Sequence, residues 1–306
     1  MSFGVDVNQE VVRSSLVLDY VGLVGEPDGF VVAELNLRKS RLGVLAELSL
    51  FHSNRSQWEL KRLPINCHKR RRDSVGLQRF WPQAAVPFGR CLCWVDYRQG
   101  VILGEVLEQS PKLTFLPFPR MVPTRLEDMH RGVCATDGGS SLKFVDIVVN
   151  ELPRRTTFTI STYTLTVADA GGMRWDEDAV APMTAEELWG LEAPAPIPHE
   201  VPLFPVVSMD KPHVIRFLLS ECTDYVDTVT LVTVDMKARA VLSVHPYIKG
   251  EQELHGEDAD LAQARSSLLQ PFIPAEFPKS LVQEEESSGM SQTTSTNFII
   301  GISSLA

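Results

Sequence analysis

Three aspartates stand where strand-borne carboxylate chemistry would place them. Asp96, Asp146 and Asp235 close or interrupt the apolar runs CLCWVD, LKFVD and TLVTVD. Carboxylates that converge from strand ends onto one channel are the equipment of glycoside hydrolysis. An aspartate followed by a hairpin turn has a plainer role, because its side chain accepts hydrogen bonds from the backbone of the turn. The acids Asp176, Glu177 and Asp178 after Trp175 read as a solvated turn.

Cys91 and Cys93, two apart on a strand, point to one face and have a spacing that can chelate a metal. No second cysteine pair or histidine stands at ligand spacing, so the expectation is that both pack beside Trp94 as small apolar side chains, with no metal and no cofactor. The seven histidines form no HExxH pattern, and GxSxG, GxxxxGK[ST] and GxGxxG are all absent. One basic run, Lys69, Arg70, Arg71 and Arg72 after His68, falls between two groups of apolar segments and can act as an import signal, as an anchor for an acidic partner or as a solvated loop. Beside it lies Trp81, in the loop-like stretch FWPQ; an exposed aromatic among polar loops marks a binding centre.

The elements that carry these residues read as strands. From Phe30 to Tyr247 the apolar residues alternate or come in short runs bounded by Gly, Pro, Asp, Asn or Ser. Four groups are legible, recurring roughly every 45 to 55 residues, and each is too small to bury its own apolar face. In the second, Cys91 to Tyr97 pairs with Val101 to Leu107 across Arg98, Gln99 and Gly100, with Gly100 free to take positive φ. Asp137-Gly138 and Asp210-Lys211-Pro212 mark further turns. Residues 94–107 and 233–246 echo each other, with Val95-Asp96 on Val234-Asp235. The fold expected is all-β: a β-propeller-like, incomplete array of antiparallel sheets with few short helices, a β-sandwich being the alternative. Helix is expected at Thr184 to Leu191, capped by Thr184.

A formal charge of −10 and 22% charged residues do not give the basic footprint of a nucleic-acid or membrane-surface protein. Nine acids against two bases lie in residues 250–306, so this tail carries −7 of the total. It is expected to be disordered. The division expected is therefore an N-terminal segment 1–29, partly disordered, a β-rich domain 30–249 and the acidic tail 250–306. Five cysteines, an odd and sparse set, imply no disulfide framework, and with neither an N-terminal signal nor a long apolar run the expected location is cytoplasmic or nuclear.

The segments SQWELKRLPI, CLCWVDYRQGVILGEVL, TISTYTL, MRWDEDA and FPVVSMDKPHVIRFLL together resemble the plant, chiefly grass, family called domain of unknown function 1618. The hairpin residues Trp94, Val95, Asp96 and Gly100 carry much of that resemblance, and their role is structural. The same hairpin is similar in rhythm to the kelch-like propellers found behind F-boxes, although the first thirty residues hold no F-box pattern. Members usually have more chain before the segment matching Gly29 to Leu37, which implies an incomplete ring of blades. The function expected is a non-catalytic scaffold that binds another protein, with Trp81 and Lys69 to Arg72 as candidate binding residues. The alternative is a divergent hydrolase or carbohydrate-active propeller using Asp96, Asp146 or Asp235.

Overall fold

The computed structural model describes residues 21–248, apart from 27–28, 42, 68–70, 121–125, 153–154, 168–171 and 223–225, together with 273–274 and 299–300. Four antiparallel groups of four strands succeed one another. The first unit holds β1 (Val21–Glu26), β2 (Gly29–Ser40), β3 (Gly43–His52) and β4 (Gln57–Asn66). The second holds β5 (Ala84–Phe88), β6 (Cys91–Asp96), β7 (Gly100–Gly104) and β8 (Leu113–Pro117). In the third are β9 (Arg131–Thr136), β10 (Ser141–Leu152), β11 (Arg155–Val167) and β12 (Met173–Glu177), with β13 (Met183–Thr184) added to β11. The fourth holds β14 (Leu203–Val207), β15 (Val214–Cys222), β16 (Val226–Asp235) and β17 (Ala240–Ile248). The chain is thus all-β, in several antiparallel sheets.

The units pack face upon face because the strand period of two sends alternate side chains to opposite neighbours. Along β6, Leu92 and Trp94 point into a core shared with Val31, Leu35 and Leu48 of the first unit. Cys93 and Val95, between and beyond them, join Val133 and Phe144 of the third. The opposite face of the third unit, with Val145, Ile147, Phe158 and Ile160, packs on Phe217, Val232 and Val234 of the fourth. The two middle units are therefore covered on both faces, as blades of a radial array are, and the sequence shows it in the near-continuous apolar runs of β6 and β7.

The first strand of each unit lies beside the first strand of the next, so β1, β5, β9 and β14 form an inner row. Turns along this row are tied by backbone bonds: Gly89 N–H donates to Gly139 O at 2.8 Å, and Asp137 N–H to Met209 O at 2.9 Å. Gly132 on β9 lies so close to β14 that an added Cβ would stand 1.9 Å from Pro205 O. The first two units are also joined in one sheet, since β4 pairs in parallel with β8 through Ile65↔Leu113 and Asn66↔Thr114. With β1 next to β5, that eight-stranded sheet is nearly a closed barrel.

The β6–β7 hairpin has the expected register, with Asp96 opposite Gly100. Gly100 has φ +152°, and an added Cβ would stand 2.3 Å from Leu116 O. Helix α2 (Ala185–Trp189) is capped by Thr184, whose hydroxyl accepts from Glu187 N–H while the Glu187 carboxylate accepts from Thr184 N–H.

Three readings of the sequence change. The basic run is not simply a loop: Arg71 and Arg72 open helix α1 (Arg71–Arg79), which Leu77 and then Phe80 anchor in the first core. Lys69 and Arg70 lie outside the described residues. Strand β1 falls inside the expected N-terminal segment; its GLVG core is too short and glycine-rich to stand out in the sequence. The echo between 94–107 and 233–246 is an echo of hairpins, not of blades, because β6 and β7 are second and third strands of their unit while β16 and β17 are third and fourth. Of the tail, only β18 (Ile273–Pro274) and β19 (Ile299–Ile300), which pair with each other, are described, and its expected disorder lies outside the described residues.

Candidate functional site

The loop from α1 into β5 is the feature best prepared to meet another molecule. Its backbone is pinned at three successive places. Lys39, reaching from the end of β2, donates through Nζ to Phe80 O at 2.7 Å. Trp81 N–H donates to Asp96 Oδ2 at 2.7 Å. Gln83 N–H donates to Val95 O at 2.7 Å. Phe80 is fully buried and packs edge-on against Phe115, whereas the next side chain, Trp81, is 57% exposed. Lys39 Nζ stands 5.9 Å from the centroid of its ring. An indole held out to solvent on a fixed backbone, with a cation over its ring, loses little entropy when it is covered.

Beneath the loop lies a polar cluster. Asp96 is fully buried, and its Oδ1 also accepts from Arg98 N–H at 2.9 Å and Gln99 N–H at 3.2 Å. Arg98 Nε stands 3.8 Å from both Asp96 Oδ1 and Asp128 Oδ2. Gln83 bridges the same groups: its Oε1 accepts from Tyr97 N–H and its Nε2 donates to Asp128 Oδ2, both at 2.8 Å. Burial raises the pKa of Asp96 against the opposing pull of the three N–H donors and Arg98, and it raises that of Asp128 against Gln83 and Arg98. Burial lowers the Lys39 pKa, and the Asp96 charge opposes it. Asp96 is spent on fixing the loop that carries Trp81. Asp128 and Gln83 are the members of this cluster that the sequence did not single out; they lie 45 residues apart and no local pattern joins them.

The three aspartates considered for hydrolysis are each held by different partners. Asp96 caps the β6–β7 turn. Asp235 caps the β16–β17 turn in the same way, its Oδ1 accepting from Lys237 N–H at 2.9 Å and Ala238 N–H at 2.8 Å. Asp146, inside β10, is gripped by two arginines: Arg131 Nε and Nη2 reach its two oxygens at 2.9 and 3.1 Å, and Arg120 Nη2 and Nε do so at 2.9 and 3.1 Å. Each of the three carboxylates is thus already engaged by its own turn or by arginines. The V-D pattern followed by a turn at Asp96 and Asp235 is that of an aspartate capping a hairpin, whereas the V-D of Asp146 lies inside a strand.

Cys93 is buried and Cys91 partly so, and no group of three or more metal-ligating side chains occurs among the described residues. Burial raises the thiol pKa of both, and it pushes Cys134 up to about 12 although Val207 N–H donates to its sulfur. Trp94, Val95 and Gly100 are all buried parts of the hairpin. No helix among the described residues is long and apolar enough to cross a membrane.

Residues 94–216 match the family model described as "Protein of unknown function (DUF1618)", the family that the hairpin motifs resemble. The matched stretch begins at Trp94 on β6 and ends within β15. No curated protein matches. Among solved structures, a Synechocystis ACO mutant is similar at 8% identity and a TM-score of 0.36, with 72% of this chain and 47% of that chain covered.

Proposed function

We propose that this chain, similar through residues 94–216 to the proteins of domain of unknown function 1618, is a protein-binding scaffold whose contact centre is Trp81. The observation that carries the reading is the exposure of this indole on a backbone tied down on both sides, before it by Lys39 and Asp96 at the Phe80–Trp81 peptide and after it by the Gln83 N–H bond to Val95 O. A surface tryptophan with no task would leave its loop free to collapse over it, because covering an indole removes a large apolar area from water. Here a buried carboxylate is used to hold the loop open.

The partner favoured is an acidic segment with an apolar side chain beside the charge. Lys39 stands over the Trp81 ring, and Arg71 and Arg72 open the helix that leads into the loop, with Lys69 and Arg70 just before it in sequence. Two arrangements satisfy this chemistry: a separate protein, or the chain's own acidic tail. The test is affinity capture from cell extract with the full chain, with residues 1–249 and with Trp81→Ala. A specific protein held by both wild-type forms and lost at least about tenfold with Trp81→Ala supports the scaffold. Equal recovery by wild type and Trp81→Ala overturns the role of Trp81, and a partner gained only when the tail is removed identifies the tail as a competing occupant.

A further inference from the structure

The fourth unit ends the stack, and of the other described units only the third packs on it. Along β15 the side chains of Ile215, Phe217 and Leu219 enter the core shared with that unit, so Arg216 and Leu218 point to the outer face. That face has an apolar cluster of its own, Phe204, Leu218 and Val229, edged by Leu203, Leu231 and Tyr247. Two consecutive residues, Leu203 and Phe204, join it, which regular strand alternation does not allow. A bulge between Leu203 and Val206 and a φ of +51° at Phe204 make it possible. A bulky aromatic takes such a backbone only under constraint from its surroundings. Strand β14 is thus bent to put one more ring on the outer face.

Beside these residues lies a shallow apolar dent whose lining includes Phe204, Val206, Leu218, Leu231 and Tyr247 together with Arg216. Among the described residues no acid pairs with Arg216, the cation of this dent. An unmatched guanidinium at an apolar hollow calls for an occupant that brings one carboxylate with aromatic or aliphatic side chains next to it.

The chain supplies such an occupant from the strand that lines the dent. β17 ends at Ile248, one residue after Tyr247, and the acidic tail follows from there. Within the tail the segment Pro271–Pro278, PFIPAEFP, sets the single acid Glu276 among Phe272, Ile273 and Phe277. Its Ile273–Pro274 is strand β18, paired with Ile299–Ile300. Residues 249–270 connect the segment to β17. A flexible linker of that length has an r.m.s. span of about 25 Å, while β15 lies two strand spacings, about 10 Å, from β17. The segment therefore meets the dent at an effective concentration on the order of millimolar, above what a separate acidic peptide or a second copy reaches at ordinary concentrations. Charge adds to this, since nine acids and two bases on residues 250–306 face the cation of the dent.

We infer that the tail segment Pro271–Pro278 docks on the outer face of the fourth unit, with Glu276 against Arg216 and Phe277 in the dent. A tail seated there covers the free end of the stack and leaves Trp81 to a separate partner; the inference does not rest on the Trp81 reading. The test uses the full chain carrying Arg216→Lys, which puts an amine where a zero-length carbodiimide can join it to a carboxylate in contact, followed by peptide mapping. The expected product is an amide between positions 216 and 276 within one chain, lost when Glu276→Gln is added. A second measurement needs no cross-link: trypsin cleavage after Lys279 should be at least about tenfold faster in full-length Arg216→Glu than in wild type, with sites inside the β units uncut, because cleavage follows the population of undocked tail. No amide from position 216 to the tail, an amide formed only between chains or equally with the other tail acids, or cleavage unchanged by Arg216→Glu overturns the inference. Amides between tail carboxylates and Lys39 in place of position 216 would put the tail at the Trp81 loop and overturn it as well.

Discussion

Replacing Arg131 by methionine removes the most heavily committed side chain between the second and third units. Its guanidinium is fully buried and binds both oxygens of Asp146. It donates further to Tyr97 O at 2.7 Å and to Arg120 O at 2.6 Å, and it stands 5.5 and 5.4 Å from the Phe118 and Phe144 ring centroids. Methionine keeps much of the volume and the contact with the rings but supplies no donor. Asp146 would then retain Arg120, whose side chain is 37% exposed, and the buried Tyr97 carbonyl and the part-buried Arg120 carbonyl would lose a partner. Breaking a buried pair from one side costs about 3–5 kcal/mol, most of it the desolvation of the charge left behind. In urea, with an m-value of about 3 kcal/mol/M for a chain of this size, the midpoint should fall by roughly 1–1.7 M with the slope unchanged. The double variant Arg131→Met with Asp146→Leu removes the orphaned charge too, so its cost should be clearly less than the sum of the two single changes. A loss below about 1 kcal/mol for Arg131→Met, or strict additivity in the cycle, would refute the view that this pair is a mutually dependent buried clamp.

Two further outcomes follow from the same geometry. Asp178 is pulled up by burial, but its ion pair with Lys143 at 2.7 Å and the hydroxyls of Thr164 and Thr162 outweigh that, so its folded pKa lies below the ordinary value. Its contribution is therefore present above the unfolded pKa of about 3.9 and is lost as the pH falls through the lower folded value; Asp178→Asn should reduce stability near neutrality and flatten the acid limb of a stability–pH profile, and an unchanged limb would contradict this. Asp96→Ala and Asp235→Ala delete the same kind of turn cap, but Asp96 is fully buried and serves three N–H donors where Asp235 serves two at a partly exposed site. The expected losses in chemical denaturation are about 3 and about 1 kcal/mol, and the reverse order would count against the assigned geometry.

The sequence by itself determined the strand class, the turns and the grouping into four units, because these depend on short-range chemistry. Alternation of apolar residues marks strands wherever one face is buried, and Asp137, Gly138 and Gly100 adopt backbone angles that few other residues tolerate. The Thr184 cap and the exposure of Trp81 beside a buried Phe80 are local as well. What a V-D-turn pattern leaves open is whether its aspartate meets a substrate or its own turn. The bonds of Asp96 and Asp235 to their own turns are local, but the bond of Asp96 to Trp81 N–H comes from a segment 15 residues away, and only tertiary packing supplied it. The same holds for the role of Asp146, whose partners Arg120 and Arg131 lie 26 and 15 residues away on other segments. The face of β1–β4 shows the limit most plainly. Its alternation of Val31, Ala33 and Leu35 with Val32, Glu34 and Asn36 tells which residues share a side, but both sides carry apolar groups. Only the placement of the second unit against one side left the other, with Trp58 and Leu60, facing water.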